Sequence, residues 1–174
     1  MEFRSGDEST FRQIYDEVFP VLMKVVYHVT YNIDVAEDVC QEAFIRFYDK
    51  DMVFPSVEDA KFWLIRVTKN LSINHVKKKA REAASIEKIK KAPQGENPFR
   101  DGASELLLKE SQQAVRKAVA SLPEMYRMVI VLKEYAGLDY KQIGKVMGIT
   151  ESNVKVRVHR ARRELETILG QEEM

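Results

Sequence analysis

The chain has 174 residues, 45% of them hydrophobic and 32% charged, which is enough for one ordinary domain or two small ones with real cores. Only seven glycines and five prolines are present, which disfavours an all-β fold with many tight turns. The formal net charge of +1 conceals an acidic block, residues 1–60 with 5 basic and 13 acidic side chains, and a basic block, residues 61–91 with 10 basic and 2 acidic ones. The basic block is either a solvated face or a surface for phosphates, and the two blocks together suggest two different partners.

The single cysteine, Cys40, excludes an internal disulfide and fits a reducing compartment, and its apolar neighbours favour a core residue over a nucleophile. No apolar run approaches the roughly 20 residues that span a bilayer, and the polar N-terminus lacks the apolar segment of a signal peptide. The sequence therefore predicts a cytoplasmic protein without direct membrane insertion. It shows no carboxylate cluster, metal-ligand spacing or nucleophile–base pair, so neither catalysis nor a metal or other cofactor is expected.

The first helix is predicted over Ser9–Tyr31, where apolar residues recur at spacings of three and four. Pro20 lies inside this pattern, so a kink or a break is expected there. Asn32–Asp34 is typical of a turn, with Asp34 as the N-cap of a second helix over Val35–Tyr48.

A loop with Pro55 is predicted over Asp49–Val57, and a third helix follows it into the basic run at residues 77–81. The prolines and glycines of residues 83–103 are typical of a linker. The sequence therefore predicts an all-α chain of two small helical domains. Their ranges are residues 1–82 and residues 104–174, joined by a flexible linker over residues 83–103.

The second domain is predicted to begin with a helix over Ser104–Leu122, and Pro123 starts the next helix. Asp139 and Thr150 can N-cap the last two helices, and Gly148 supports a tight turn between them. A short helix, a glycine turn and a longer helix form the arrangement by which a helix-turn-helix presents its second helix to the major groove of DNA.

The last helix has two unlike faces at about 100° per residue. The side that is expected to pack on the core carries Val154, Val158, Ala161 and Leu165. The opposite side is basic and polar, as contact with base edges and phosphates requires. A solvated amphipathic helix would show the same stripe, but the capped short helix and the glycine turn favour DNA binding. The candidate contacts are Ser152, Asn153, Lys155, Val156, Arg157, His159, Arg160, Arg162 and Arg163.

The third helix holds the only tryptophan, Trp63, and residues 61–81 carry cations and asparagines without a carboxylate. Such a face suits contact with bases as well as phosphates, and exposed bases can stack on aromatic rings. A core position is the favoured interpretation for Trp63, whereas core and contact remain open for Asn70 and Asn74. The candidate single-strand contacts are Trp63, Arg66, Lys69, Asn70, Asn74, Lys77, Lys78 and Arg81.

These segments, in this order, resemble the sigma-70 family of RNA polymerase sigma factors, and specifically its extracytoplasmic-function (ECF) group. Asp34–Tyr48 resembles region 2.2, and Phe62–Asn70 resembles regions 2.3 and 2.4. Region 4.2 is resembled by Ser121–Arg127, Gly137–Gly144 and Val154–Arg162. The chain departs from the family pattern in having Asn74 where many members have aspartate, Lys77 where many have arginine, and Gly144 where alanine is commoner.

The resemblance implies a promoter-specificity subunit whose Asp38, Gln41 and Glu42 bind the β′ clamp helices of core RNA polymerase. It implies that Asn70 contacts the exposed non-template strand while regions 2.3 and 2.4 open and read the −10 element. Region 4.2 then reads the −35 element. The β flap of the polymerase and an anti-sigma factor are further implied partners.

Two other classes of function compete with this interpretation. A helix-turn-helix repressor or activator that does not replace a sigma subunit would explain the C-terminal segment but not the cationic third helix. A DNA-processing enzyme would need a catalytic cluster that the sequence does not show.

Overall fold

The computed structural model describes residues 2–85 and 110–172, which are mainly helical and fall into two compact units. This confirms the all-α prediction. The predicted linker lies outside the described residues except for residues 83–85, which extend the third helix. The predicted helix over Ser104–Leu122 is described from Glu110 onward. The domain ranges themselves stay a prediction.

Within residues 2–85, the first unit has three helices and a two-stranded antiparallel ladder. The helices are α1 (Glu8–Thr30), α2 (Ile33–Lys50) and α3 (Val57–Ser85), and the strands are β1 (Phe3–Arg4) and β2 (Val53–Phe54). Helix α1 packs against both α2 and α3, which also contact each other. The largest fully buried side chains of this core are Phe44, Phe47, Ile14, Leu22, Leu64 and Ile65.

The expected break at Pro20 does not occur, because α1 is continuous from Glu8 to Thr30. Proline removes one backbone donor and leaves the carbonyl of Asp16, four residues earlier, without its intrahelical partner. Both Pro20 and Asp16 are exposed, so this carbonyl lies on the side of the helix that water reaches. On the other side, the buried side chains of Val18 and Leu22 hold the helix against the bundle.

The cap of α2 also differs from the prediction. Asn32, not Asp34, has the extended backbone of an N-cap, and its side chain accepts a hydrogen bond from the backbone N–H of Val35. The distance is 3.1 Å. Asp34 lies inside the first turn, where its carboxylate still favours the positive end of the helix dipole. Asparagine and aspartate are N-caps of similar strength, so the sequence alone did not show which of the two residues caps α2.

The second unit is built around its last helix. Its elements are α4 (Glu110–Ser121), α5 (Glu124–Ile130), a π-helical turn (Val131–Tyr135), α6 (Tyr140–Met147) and α7 (Glu151–Glu172). Helix α7 contacts α4, α5 and α6. The orientation of α7 is therefore set by three helices at once.

Helix α5 continues into a π-helical turn, which the sequence did not predict. The backbone N–H of Ala136 donates to the carbonyl of Val131 at 3.2 Å, a bond across five residues that defines a π turn. Gly137 follows with φ +71°, in the left-handed region that suits glycine. The chain thereby leaves α5 and turns towards α6.

Cys40 lies in the core of the first unit with no exposed surface. Burial, with a smaller contribution from the charge of Glu37, raises the pKa of its thiol to about 12. We expect the native protein at pH 8 to resist alkylation by iodoacetamide, because the thiolate is the reactive form. After unfolding in guanidinium chloride, the single thiol should react fully. Rapid labelling of the native protein, followed by mass spectrometry, would contradict this account of the core.

Candidate nucleic-acid interface

The short helix α6 is locked at its start by a reciprocal pair of hydrogen bonds. The backbone N–H of Gln142 donates to Asp139 Oδ1 at 2.7 Å, and the backbone N–H of Asp139 donates to Gln142 Oε1 at 3.0 Å. This is a capping box, and it satisfies two backbone donors that a helix start otherwise leaves unpaired. The N-cap predicted at Asp139 is therefore present.

The turn between α6 and α7 depends on two glycines. Gly148 ends α6 with φ +70°, a left-handed conformation that glycine adopts without strain. At Gly144 a Cβ atom would lie 2.7 Å from the backbone carbonyl of Ile149, so the missing side chain lets the turn approach α6 closely. Thr150 then caps α7, since its Oγ1 accepts the backbone N–H of Asn153 at 3.1 Å.

Helix α7 has the two faces that its periodicity predicts. Val154, Val158 and Ala161 are buried, and they hold the helix against the rest of the unit. The opposite face is open to solvent and cationic, which suits contact with a polyanion. Of the predicted contacts on this face, only Arg157 is half-buried. The exposed ones are Ser152, Asn153, Lys155, Val156, His159, Arg160, Arg162 and Arg163.

The cations of this face are not equivalent. Arg162 donates to Glu134 at 3.3 Å, and Lys155 lies 3.9 Å from Glu151. Within residues 2–85 and 110–172, Arg160 has no ion pair, and its side chain is exposed. Its guanidinium is therefore available for a bidentate contact with guanine.

The polar face of α3 is likewise exposed along its length. At about 100° per residue, the predicted contacts fall within roughly half of the helix circumference. Lys69 is half-buried and donates to the side-chain oxygen of Asn70 at 3.3 Å, while Asn70 itself is exposed. The remaining exposed members are Arg66, Asn74, Lys77, Lys78 and Arg81.

Trp63 lies at the start of this face and is half-buried. Its ring centroid is 5.8 Å from that of Phe47 and 6.2 Å from that of Phe54, and Lys50 Nζ lies 5.8 Å from the centroid of the Trp63 ring. These contacts support the interpretation of Trp63 as a structural residue. It nevertheless stands on the same side of α3 as Asn70, so it can set the shape of that surface.

The candidate polymerase contacts Asp38, Gln41 and Glu42 are all exposed on α2. Glu42 accepts a hydrogen bond from Arg46 at 2.7 Å, one turn further along the helix. Gln41 also lines an open groove of about 1000 Å³ between α1 and α2. Of the three candidate contacts, Gln41 therefore lies at a concave surface, and Asp38 and Glu42 are exposed on the same helix.

The sequence missed the apolar part of this surface. Ile45 is 60% exposed and Tyr48 is 46% exposed, and both line the groove beside Gln41. Exposed apolar groups next to polar ones are typical of protein contacts. The available signal was the position of Ile45, which falls outside the buried stripe of α2.

The fold and these exposed faces define a helix-turn-helix DNA-binding protein with a second cationic helical face in its other unit. The family model of Sigma-70 region 2 matches residues 14–82, and that of Sigma-70, region 4 matches residues 112–165. The chain belongs to the sigma-70 family, in its extracytoplasmic-function group.

One relative and two solved structures are similar to this chain. The ECF RNA polymerase sigma factor SigW of Bacillus subtilis is 31% identical over 173 residues, which cover 94% of this chain and 91% of that protein. The sigma factor RpoE, in complex with the anti-sigma factor NepR from Bartonella quintana, has a TM-score of 0.71 and 24% identity, covering 92% of this chain and 97% of that one. CnrH, in complex with the cytosolic domain of CnrY, has a TM-score of 0.67 and 19% identity, covering 96% and 92%. Both structures share the fold.

The chain is thus a sigma factor that binds core RNA polymerase and recognises promoter DNA, as the sequence predicted. Because the family models match both units, a helix-turn-helix regulator that does not replace a sigma subunit gains no support. In the part of the chain that the structure describes, no helix combines the length and apolarity of a membrane-spanning segment.

The capping box supports a prediction about the helix-turn-helix. Replacing Asp139→Ala removes an N-cap acceptor and should lower the free energy of unfolding by about 1 kcal/mol. Asp139→Ser should retain most of the stability, because the serine hydroxyl also caps. Thermal denaturation followed by circular dichroism measures both. Equal stability of wild type and Asp139→Ala would show that the box does not stabilise α6.

Proposed function

We propose that the chain acts in the cytoplasm as a promoter-specificity subunit without catalysis of its own. In this proposal residues 1–82 bind core polymerase and the −10 element, residues 104–174 bind the −35 element, and residues 83–103 link them. The observation that carries the proposal is the match of both units to sigma regions, with an exposed cationic face on α3 and another on α7.

The polymerase contact is assigned to α2. Asp38, Gln41 and Glu42 face solvent beside the groove that Ile45 and Tyr48 line. A mixed surface of this kind suits a coiled coil such as the β′ clamp helices, with apolar contact for affinity and carboxylates for orientation. The β flap is the second proposed polymerase contact, through the second unit.

The −10 contact is assigned to the polar face of α3. Opening a promoter exposes bases on the non-template strand, and extraction of one base from the stack supplies both melting and sequence choice. Asn70 can form hydrogen bonds with a base edge, whereas the exposed Lys77, Lys78 and Arg81 can neutralise phosphates. Trp63 then acts as the support of this surface.

The −35 contact is assigned to α7. Its exposed face is cationic and follows the turn of the helix-turn-helix, as a recognition helix does, and the backbone N–H groups of its N-terminus can meet a phosphate. Arg160 is the assigned base contact, and the flanking cations are assigned to phosphates.

An anti-sigma factor is the remaining proposed partner. The sigma factor RpoE is solved in complex with the anti-sigma factor NepR, and CnrH in complex with the cytosolic domain of CnrY. The exposed apolar groove of the first unit offers this chain a surface for such control. Core polymerase and an anti-sigma factor would then compete for it.

The polymerase contact can be tested by charge reversal. Asp38→Lys and Glu42→Lys should each weaken binding to core polymerase, because a cation replaces a carboxylate that orients the complex. Glu17→Lys, an exposed carboxylate of α1, is the matched control and should bind as wild type does. Fluorescence anisotropy measures affinity, and circular dichroism checks the fold. Unchanged affinity in both test variants would show that the assigned surface is wrong.

The function as a whole can be tested by run-off transcription with core polymerase over a randomised promoter library. Selected promoters should share two elements, and Arg160→Ala should lose about 1–3 kcal/mol of discrimination at the −35 element alone. Lys117→Ala, an exposed cation of α4, should leave that discrimination unchanged.

Two outcomes of the library experiment would contradict these assignments. An equal loss by Arg160→Ala on every sequence would make Arg160 a phosphate contact. Sequence-specific binding of the chain to duplex promoters without polymerase, together with no stimulation of transcription, would favour a repressor.

A further inference from the structure

The N-terminal segment is tied to the loop between α2 and α3, across 47 residues of sequence. Arg4 Nη2 donates to Asp51 Oδ2 at 2.6 Å, and Arg4 Nε donates to Asp51 Oδ1 at 3.2 Å, so the pair is bidentate. The backbone N–H of Gly6 donates to the same Oδ1 at 3.2 Å. We call the contacts of residues 4–6 with Asp51 and Met52 the N-terminal clamp.

The clamp also fixes the backbone of the loop. Ser5 is fully buried; its backbone N–H donates to the carbonyl of Met52 at 2.9 Å, and its Oγ accepts the backbone N–H of Met52 at 2.8 Å. Both backbone groups of Met52 are therefore satisfied by one residue. Beyond them, Phe3 pairs with Phe54 in the β1–β2 ladder. The path of the loop is specified by partners from the N-terminus rather than by its own sequence.

The ion pair between Arg4 and Asp51 constrains the loop but adds little to the stability of the first unit. The pKa of the Asp51 carboxyl lies below its ordinary value, mainly because Arg4 donates a hydrogen bond to it. This carboxyl is therefore ionised at neutral pH. The pair is 62% and 48% exposed, and exposed ion pairs add little to global stability. Asp51 itself has φ +46° at the end of α2, the point where the chain changes direction.

The loop continues into the aromatic contacts that support α3. The buried ring of Phe54 stacks on Phe3 at 5.8 Å and on Phe47 at 5.3 Å, and it meets Trp63 edge-on at 6.2 Å. Trp63 begins the face of α3 that carries Asn70. A continuous set of contacts therefore runs from the N-terminal strand to the start of that face.

We propose that the N-terminal clamp is a positioning element for the −10-reading surface: it sets the path of the loop at residues 51–56 and seats Phe54 against Trp63. This inference rests on the proposed −10 function of α3. The loop exposes Val53 and Pro55, and its Phe54 contacts Trp63 at the start of the α3 face. In this proposal, single-stranded promoter DNA on the α3 face also meets the loop. A small shift of the loop changes the shape that a displaced base must fit, because recognition tolerates only a fraction of an ångström.

The test uses run-off transcription by core polymerase with the full-length chain, on promoters that share one −35 element and differ in the −10 element. The readout is the ratio of transcription from the best −10 element to the mean of the set. Arg4→Gln removes the ion pair, and Gly6→Ala places a Cβ atom 2.5 Å from Asp51 Oδ1. Both should lower the ratio on the order of fivefold, the lower end of what one good base contact contributes.

Two further variants make the result specific. Arg4→Lys keeps a cation that can reach Asp51, so it should restore part of the ratio. Lys24→Gln removes an exposed cation of α1 outside the clamp and should leave the ratio unchanged. Core-polymerase affinity, discrimination at the −35 element and the thermal midpoint should stay at wild-type values in all four variants.

An unchanged ratio in both Arg4→Gln and Gly6→Ala overturns the proposal. A lowered thermal midpoint with an equal loss on every promoter also overturns it, because the clamp would then be only structural. Asn70→Ala, measured in parallel, separates the −10 function of the α3 face from the positioning role of the clamp. If Asn70→Ala keeps the ratio, the −10 face is misassigned; if it lowers the ratio while the clamp variants do not, only the positioning role fails.

Discussion

Burial of one apolar stripe on each helix determines where its polar face points. In α7, Val154 and Val158 are buried, and in α3 Leu64 and Ile65 are buried. Full burial of such a side chain stabilises the fold by roughly 1.5–3 kcal/mol, so rotating a helix to hide its cations would cost several such contributions. The DNA-facing and polymerase-facing surfaces therefore follow from packing. Once a helix buries its apolar residues, its polar and charged residues can lie only on the opposite, exposed side.

Local caps and glycine turns then set the direction of the helices in the helix-turn-helix. The capping box of Asp139 fixes the start of α6, and Gly144 and Gly148 allow the turn to approach that helix closely. Helix α7 begins immediately afterwards and contacts three other helices, so its orientation is over-determined. A recognition helix benefits from this rigidity, since base contacts are lost when the supporting shell is loose.

Charge separates the partners within the first unit. The acidic residues of α2 lie beside exposed Ile45 and Tyr48, a combination that suits a protein surface. The face of α3 carries cations and asparagines and no carboxylate between residues 61 and 81, which suits nucleic acid. The phosphates of DNA would repel the carboxylates of the α2 surface, so this surface disfavours nucleic acid. The near-zero net charge of the chain hides this division.

The sequence by itself determined the helices, the capped helix-turn-helix and the two cationic faces, because a period of 3.6 residues and a cap are local properties. It also predicted the family, through motifs that are short and continuous in the sequence. Only the tertiary structure decided that α1 continues through Pro20, that β1 pairs with β2, and that Arg4 reaches Asp51. The last two depend on partners about 50 residues apart, and a strand of two residues is too short to leave an alternating pattern. The loop before α3 had no readable signature for the same reason: its conformation is imposed by a segment that lies far away in the chain.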